Sequence, residues 1–519
     1  MVLLTVWSCV AAAQGQIAVQ IGQNFTGSTD SFAWAPCPAG AVNEDYFVEF
    51  NMDTFAVYNK ADGSVAETLS WSDFWTQAGL TLPSGYGRNT PRVVYDPTVQ
   101  RWFVAEAGGA TGATDKPDAA LLAISATADP TGAWNGVSVA TTPAGNDFSG
   151  AMNMGLDAGG VYLGSVAADI TSGAAVGCTL LSFPKADLLS VPPIITNRTW
   201  FGVLSATDYG YNSKPVICLD GSEVGAVLAT AGRGYPGDNN NDLFAYSIDN
   251  ASGPGAATLG RSTPITVPEY TEPNNALQPD GSSNLVTWNA VFYANACAVK
   301  GVIYAVHPVQ AGPHTAIGWY RVNATNYTLL ESGTISDPSL DLYYPSIAAN
   351  TNGVVVIAFN GSGTNTFVSC YAVVGQTVNG VTSFGNPIVL QAGSASYQNL
   401  DPSGDDLWGY YSTTCLDPAD PNIFWTINAY AAGPSTWATQ ITQLLTSPSP
   451  TLSLARTAAG LTLSWPVTEA PFQLESAPSL PGSGTWAPVS AAAATNGATV
   501  SVTVPATNRA AFFRLVQGP

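Results

Sequence analysis

One local pattern repeats along most of this chain: two apolar runs folded back on each other about a turn rich in Asp, Asn, Gly or Pro. Its clearest copy is Val93-Val94-Tyr95-Asp96-Pro97-Thr98-Val99-Gln100-Arg101-Trp102-Phe103-Val104. Weaker copies turn at Asn43-Glu44-Asp45, Asp157-Ala158-Gly159-Gly160, Asp220-Gly221-Ser222, Lys300-Gly301, Asn350-Thr351-Asn352-Gly353 and Asp417-Pro418. These residue types suit tight turns because their side chains cap the local backbone or permit unusual φ. A unit returning about every 50 to 80 residues has the spacing of propeller blades, small sheets that bury both faces against their neighbours around a ring. The expected fold is all-β, a seven-bladed β-propeller followed by a small β-sandwich. Six or eight blades follow if one copy is spurious or an insertion hides another.

Composition agrees. The 519 residues are 46% hydrophobic and 10% charged, with 51 Gly and 36 Pro, which favours many short strands and turns over long helices. A net charge of −21 repels phosphate backbones and anionic lipid, which argues against nucleic acid and acidic membranes as partners. The apolar start Met1 to Ala13, with Ala11-Ala12-Ala13 before Gln14, reads as a signal peptide, so export and an extracellular or cell-surface location are expected. Val6-Trp7-Ser8-Cys9 loosely resembles a lipoprotein acylation box. No later run reaches the ~18 apolar residues of a spanning helix. If Cys9 leaves with the leader, six cysteines remain and allow up to three disulfides, although Cys218 and Cys415 read equally well as small core residues.

Residues 14–40 read as a polar N-terminal arm and 41–445 as the propeller. A Pro- and Asn-rich insertion from Ala251 to about Ser283 precedes the fifth blade. The uncharged stretch Thr446-Ser447-Pro448-Ser449-Pro450 begins a linker (446–451), and clean alternation in Leu461-Thr462-Leu463-Ser464-Trp465 and Val500-Ser501-Val502-Thr503-Val504 marks a β-sandwich over 452–517.

Ser125-Ala126-Thr127-Ala128-Asp129-Pro130-Thr131-Gly132-Ala133-Trp134, Tyr344-Pro345-Ser346-Ile347-Ala348-Ala349-Asn350, Gly318-Trp319-Tyr320-Arg321 and Trp408-Gly409-Tyr410-Tyr411-Ser412 carry a family likeness. Over roughly residues 20 to 445 the chain resembles secreted bacterial β-propellers related to sialidase-type, Asp-box-like repeats, most without an established activity. Leu461 to Leu515, with Trp465-Pro466 and the closing Phe512-Phe513-Arg514-Leu515, resembles a fibronectin-like module common at the end of large secreted proteins of Verrucomicrobia. Where that propeller family tends to read Trp-Gly-Asp-Tyr, position 410 is Tyr; Asp147-Phe148-Ser149-Gly150 keeps the acid of an Asp-Tyr-Pro-Lys pattern and loses the Lys. Cys37 or Pro38 stands about where an Asp is usual.

Several innermost strands open with an acid or amide some way before the turn: Asn89, Asp147, Asp208, Asp341 and Asp405-Asp406. At one mouth of a central channel such groups would converge on Ca²⁺, which prefers oxygen ligands, or on sugar hydroxyls. The bland alternative is that each bonds its own turn. As paired carboxylates, Asp147, Asp208, Asp341 and Asp405 are the candidates for glycoside hydrolysis or a lyase reaction. Tyr209, Tyr211, Tyr343, Tyr344, Trp408, Tyr410 and Tyr411 lie near the same positions and could stack on sugar faces, or simply pack blade against blade.

Gly232-Arg233-Gly234-Tyr235-Pro236-Gly237 lacks the following helix that phosphate binding needs, and Asp238 to Asp242 reads as a turn into the strand Leu243 to Ile248 rather than as a calcium loop, since Leu243 stands where the sharp turn of such a loop demands Gly. The two histidines, His307 and His314, have no zinc-ligand spacing. The sequence therefore predicts an extracellular binding protein for glycan or another polymer, with a hydrolase or lyase, or an adhesion scaffold, as alternatives.

Overall fold

The computed structural model describes residues 17–30, 36–82, 86–110, 119–141, 147–149, 152–169, 175–231, 241–287, 290–292, 294–401, 404–409, 411–447, 450, 452–457, 460–467, 472–478, 486–505 and 511–517. The molecule is all-β. Its strands follow chain order from an innermost strand outward, sheet after sheet.

The first sheet runs Ala39–Val42, Tyr46–Phe50, Thr54–Asn59, Val65–Ser70, and the second Tyr86–Asp96, Arg101–Ala110, Ala119–Ser125, Trp134–Ala140. The third is Asn153–Leu156, Gly160–Asp169, Ala175–Pro184, Thr199–Leu204. In the fourth, Tyr211–Pro215 pairs with Ala226–Thr230 and that with Asp242–Asp249. The fifth runs Cys297–Val299, Val302–Ala311, His314–Asn323, Leu329–Ile335, and the sixth Asp341–Ala349, Val354–Gly363, Thr366–Val378, Val381–Phe384. The next, Thr413–Leu416, Ile423–Gly433, Thr436–Ser447, takes its outermost strand from the other end of the chain, Ala18–Asp30.

In the inner strands of these seven sheets, period-2 alternation buries side chains on both faces. In the first sheet Phe47 and Tyr58 pack with Trp425 and Ile441, while Val48 and Val57 pack with Trp102 and Trp134 of the second. Phe103 and Leu122 of the second meet Met154 and Phe183 of the third, and Leu180 of the third meets Val227 and Tyr246 of the fourth. Leu228 then joins Ile303, Val306 joins Ile357, and Val356 joins Phe424 and Leu444, whose sheet leads back to Phe47. The apolar cores thus link the sheets in one cycle, the arrangement of a propeller.

The turn residues link the same cycle a second time. Asn43 Oδ1 accepts from Asp45 N and Tyr46 N in its own turn, while its Nδ2 donates to Ala128 O in the second sheet's outer turn. Asp96 caps Thr98 N and pairs with Lys185 of the third sheet at 2.6 Å. Asp157 caps Gly159 and Gly160 and accepts from Val224 N and Gly225 N of the fourth. Asp220 caps Ser222 N and accepts from Lys300 N; Lys300 Nζ donates to Thr351 O. Asn350 caps Asn352 N and donates to Pro421 O. Asp417 closes the cycle on Lys60 of the first sheet at 2.8 Å.

Three features depart from the sequence expectations. Residues 18–30, expected as an irregular arm, are a strand, because half-exposed Gln, Asn and Thr side chains hide its alternation. The helix Trp71–Gln77 starts at Ser70, whose side chain accepts from Asp73 N, and buries Trp71, Phe74 and Trp75. The insertion is longer than expected: the fifth sheet begins only at Cys297, and the described residues 267–287, 290–292 and 294–296 form a strap before it. The strap is held down by Gln310 N on Thr271 O, by Asn274 O accepting from Thr315 Oγ1, and by Gln278, whose Oε1 and Nε2 bond Tyr397 N and O. Beyond residue 451, Ser453–Thr457, Gly460–Pro466, Thr499–Val504 and Ala494–Asn496 form one sheet and Ala487–Pro488, Phe472–Ala477 and Phe512–Gln517 another, sharing a core of Leu463, Trp465, Leu474 and Val502.

The six cysteines within the described residues, Cys37, Cys178, Cys218, Cys297, Cys370 and Cys415, are free thiols. The disulfides that export permits are therefore not formed among them. Each is covered by blade packing or occupied in a local contact, as with Cys218 Sγ on Asp220 Oδ1 at 3.1 Å. Residues 1–13, the expected leader, lie outside the described residues, as does the loop 232–240.

Candidate functional site at the ring axis

Innermost strands meet where their hydrogen-bond register breaks. The second, fourth and sixth sheets each carry a bulge in that strand, between Asn89 and Arg92, Tyr211 and Lys214, and Tyr343 and Ser346. A bulge re-aims the side chain that follows it. Cys37 (φ 41°), Asn212 (φ 60°) and Tyr344 (φ 49°) sit at this level in the left-handed region, which non-glycine residues occupy at a cost and mostly at functional sites. Ile217 pairs in parallel with both Leu156 and Cys297 just below, stitching the third and fifth sheets together across the fourth.

Four side chains converge there. Asn153 Nδ2 donates to Asn212 Oδ1 at 2.8 Å and Ser213 O at 3.0 Å, which turns its Oδ1 the other way. That oxygen accepts from Lys214 Nζ at 2.9 Å and Arg92 Nη2 at 3.3 Å. Arg92 and Lys214 are 4% and 0% exposed. The Arg92 guanidinium lies 3.5 Å from the centroid of the Tyr411 ring, a cation–π contact that leaves its in-plane N–H groups to donate. Met52, Cys37, Tyr411 and Val291 of the strap pack as a small apolar cluster beside it, with Tyr211 at its edge. Burial, with Arg92 as a second cause, holds the Lys214 ammonium well below its ordinary range. Burial also lowers Arg92, against the opposing influence of Tyr411 and Cys37.

The expected site residues fall elsewhere or in other roles. Asp341 Oδ1 accepts from Thr315 N and contacts His314 Nδ1, and its Oδ2 accepts from Leu277 N of the strap. Asp406 is buried, accepts from Asn399 N, and pairs through its backbone with Asn284 and Val286 of the strap. Burial lifts its carboxyl to about 6 against the opposing hydrogen bond from Asn399. Both acids therefore anchor the strap. Asp208 is exposed on the short helix Ala206–Tyr209, and Asp405 is half-buried in the turn that Asp401 caps. Among the described side chains, Asp208, Asp341 and Asp405 make no contact with one another, and the side chain of Asp147, the fourth candidate, lies outside the described residues.

The stacking platform is corrected as well. Tyr343, Tyr344 and Trp408 are buried in one core with Tyr397 and Trp437, their polar ends satisfied by Ser362, Val286 O and Asn360. Tyr411 is buried under Arg92, and Tyr209 packs edge-on against Tyr246. These rings fill space between sheets, the bland alternative for each. The side chains of Asn89 and Asp147, and the whole of Tyr410, lie outside the described residues. Among the described residues no three His, Cys, Asp or Glu group together. His307 is structural: its Nδ1 faces Pro308 O at 2.9 Å and so carries the proton, leaving Nε2 to accept from Tyr320 OH.

Sequence reasoning searched too far from the turns. Counting back four residues from Asp96, Asp157, Asn350 and Asp417 reaches Arg92, Asn153, Ser346 and Thr413, which all face the axis region. Lys214 escapes that rule because its innermost strand breaks at Val216.

No protein-family model and no curated protein matches the chain. Among solved structures it is similar to a protein of unknown function from Dyadobacter fermentans, at 12% identity and TM-score 0.40 over 71% of this chain and 97% of that one. A phage phi92 endosialidase matches at 8% identity and TM-score 0.37, over 86% and 75% of the two chains, and an endo-arabinase from Bacteroides thetaiotaomicron at 12% and 0.32, over 68% and 98%. Likeness of this degree carries no argument about ligand or activity.

No helix among the described residues is long and apolar enough to cross a membrane.

Proposed function

We propose that the chain is an exported, seven-bladed β-propeller with a C-terminal β-sandwich, and that it acts as a binding protein for an extracellular glycan or another polymer. Its binding centre is the axial group Arg92, Asn153, Asn212 and Lys214, with Tyr411 beneath. The observation that carries this reading is the meeting of two cationic side chains and two amides, from three separate strands, at one point of the axis. Polar groups that converge in an otherwise apolar interior orient a ligand and give specificity. Binding is favoured over hydrolysis because, of the candidate acids, Asp341 is engaged in holding the strap and Asp208 is exposed on a short helix.

A glycan array read alongside polysaccharide-release assays tests this on the purified full chain. Retention of specific saccharides without released oligosaccharide is expected, and Arg92→Met abolishes the retention. Release of oligosaccharide by the wild type would replace binding with catalysis; an array without any signal would leave an adhesion scaffold.

A further inference from the structure

The interface between the sixth and seventh sheets holds two separate apolar cores. Toward the hairpin turns Val356 packs with Phe424 and Leu444, and toward the other end Tyr344 and Trp408 pack with Ala429 and Trp437. Between these cores two adjacent rows across the seventh sheet carry only uncharged polar side chains. In one row Thr414 of the innermost strand stands opposite Thr426, Thr426 opposite Thr442, and Thr442 opposite Asn24 of the outermost strand. In the other, Asn428 stands opposite Gln440 and Gln440 opposite Thr26. The sixth sheet brings the small side chains Ala358, Cys370 and Ala372 to the same interface. Both ends of this polar seam are hydrogen-bonded. Near the axis Ser412 Oγ donates to Tyr344 O at 2.7 Å and lies 2.9 Å from Ser346 Oγ, which is 2.8 Å from Thr414 Oγ1. At the outer edge Asn24 Oδ1 accepts from Gln440 Nε2 at 2.6 Å and Thr442 Oγ1 at 2.7 Å, while its Nδ2 donates across to Leu390 O of the sixth sheet at 3.1 Å.

The middle of the seam is different. Thr426 Oγ1, Gln440 Oε1 and both amide atoms of Asn428 are buried with no hydrogen-bond partner among the described residues. Turning the Asn428 amide over does not supply one, since its oxygen and its nitrogen lack one alike. Buried polar groups are almost always satisfied, by protein or by ordered water, because an unmet donor or acceptor keeps its full desolvation cost. What satisfies these must both donate and accept. It must also be neutral, because an ion here would be stripped of water with no opposite charge in either row. We infer that ordered water fills the middle of the seam, joining its Asn24 end to its Ser412 end, and that the seam is a path along which water exchanges between the outer edge of the ring and the axis. An internal water makes about three hydrogen bonds, a number these side chains meet. The apolar cores wall the path on either side, and Asn24, exposed and bonded across to Leu390, is its outer plug. The inference is independent of the axial binding reading above.

Thermal melts of the full chain test the water by the sign of one substitution. Leucine has nearly the shape of asparagine without its polar atoms, so in a dry seam Asn428→Leu removes an unpartnered buried amide and raises Tm. In a hydrated seam it removes the groups that hold the water and strands Thr426 and Gln440, and Tm falls by several degrees. The fall is expected; an unchanged or higher Tm overturns the inference. Thr426→Val, which exchanges one hydroxyl for a methyl, repeats the sign test if Asn428→Leu does not fold. A crystal structure of the full chain is expected to show ordered water bonded to Asn428 and to Thr426 Oγ1 or Gln440 Oε1, and a dry seam there overturns the inference. Relaxation dispersion of the water oxygen signal tests the path: Asn24→Ala is expected to shorten the residence time of the slowest internal water several-fold, and an unchanged residence time overturns the route through Asn24.

Discussion

At most of the hairpin turns a single side chain does two jobs. Asp96 caps its own turn and neutralises Lys185 in the next sheet, both nearly excluded from solvent. Removing one partner of such a pair leaves the other charge buried, which typically costs about 3–5 kcal/mol. Asp96→Ala is therefore expected to lose stability of that order in denaturant titrations, and Lys185→Met in the same chain to recover part of it; a loss under about 1 kcal/mol would show the pair to be dispensable. His307 makes a second residue-scale prediction. Burial depresses it to about 4, below its ordinary 6.5. The unfolded chain then binds more protons between those values, so the stability His307 contributes is present above pH 6.5 and lost as pH falls toward 4. The expected acid loss is roughly 3 kcal/mol. Asp406, raised to about 6, slopes the opposite way over the same range, so the effect is read as the difference between wild type and His307→Gln. Parallel pH profiles for the two would contradict it.

At the scale of elements, what the sequence made legible is what local chemistry determines. The turns at Asp96, Asp157, Asn350 and Asp417 were readable because their residue types are demanded by the backbone there. Nothing local announces that the same side chains reach the next sheet, since that depends on ring closure. The strand Ala18–Asp30 was unreadable for a related reason: its partner Thr436–Ser447 lies at the far end of the ring, and its polar side chains bond across it, as when Asn24 Oδ1 accepts from Gln440 and Thr442. The aromatic clusters were visible as residues, but whether a ring faces solvent or the next sheet is a property of the assembled core. A chain lacking residues 17–30 leaves Thr436–Ser447 as a long unpaired edge, which invites aggregation. The expected result is loss of a reversible melting transition with a shift to high-mass species in size-exclusion chromatography; an unchanged monomer with the same Tm would show that the strand does not close the ring.

Across the whole molecule, the cores and the turn contacts describe the same cycle, and that cycle is what brings Arg92 and Lys214 together on Asn153. Residues far apart in a chain have additive effects on stability, within about 0.3–0.5 kcal/mol, unless they share a contact. A double-mutant cycle on Arg92→Met and Lys214→Met measures that sharing directly. Because each single substitution also relieves the other cation of a like charge, the predicted result is a coupling energy of about 1 kcal/mol or more. Additivity within about 0.5 kcal/mol would place the two side chains apart and contradict the convergence on which the axial site depends.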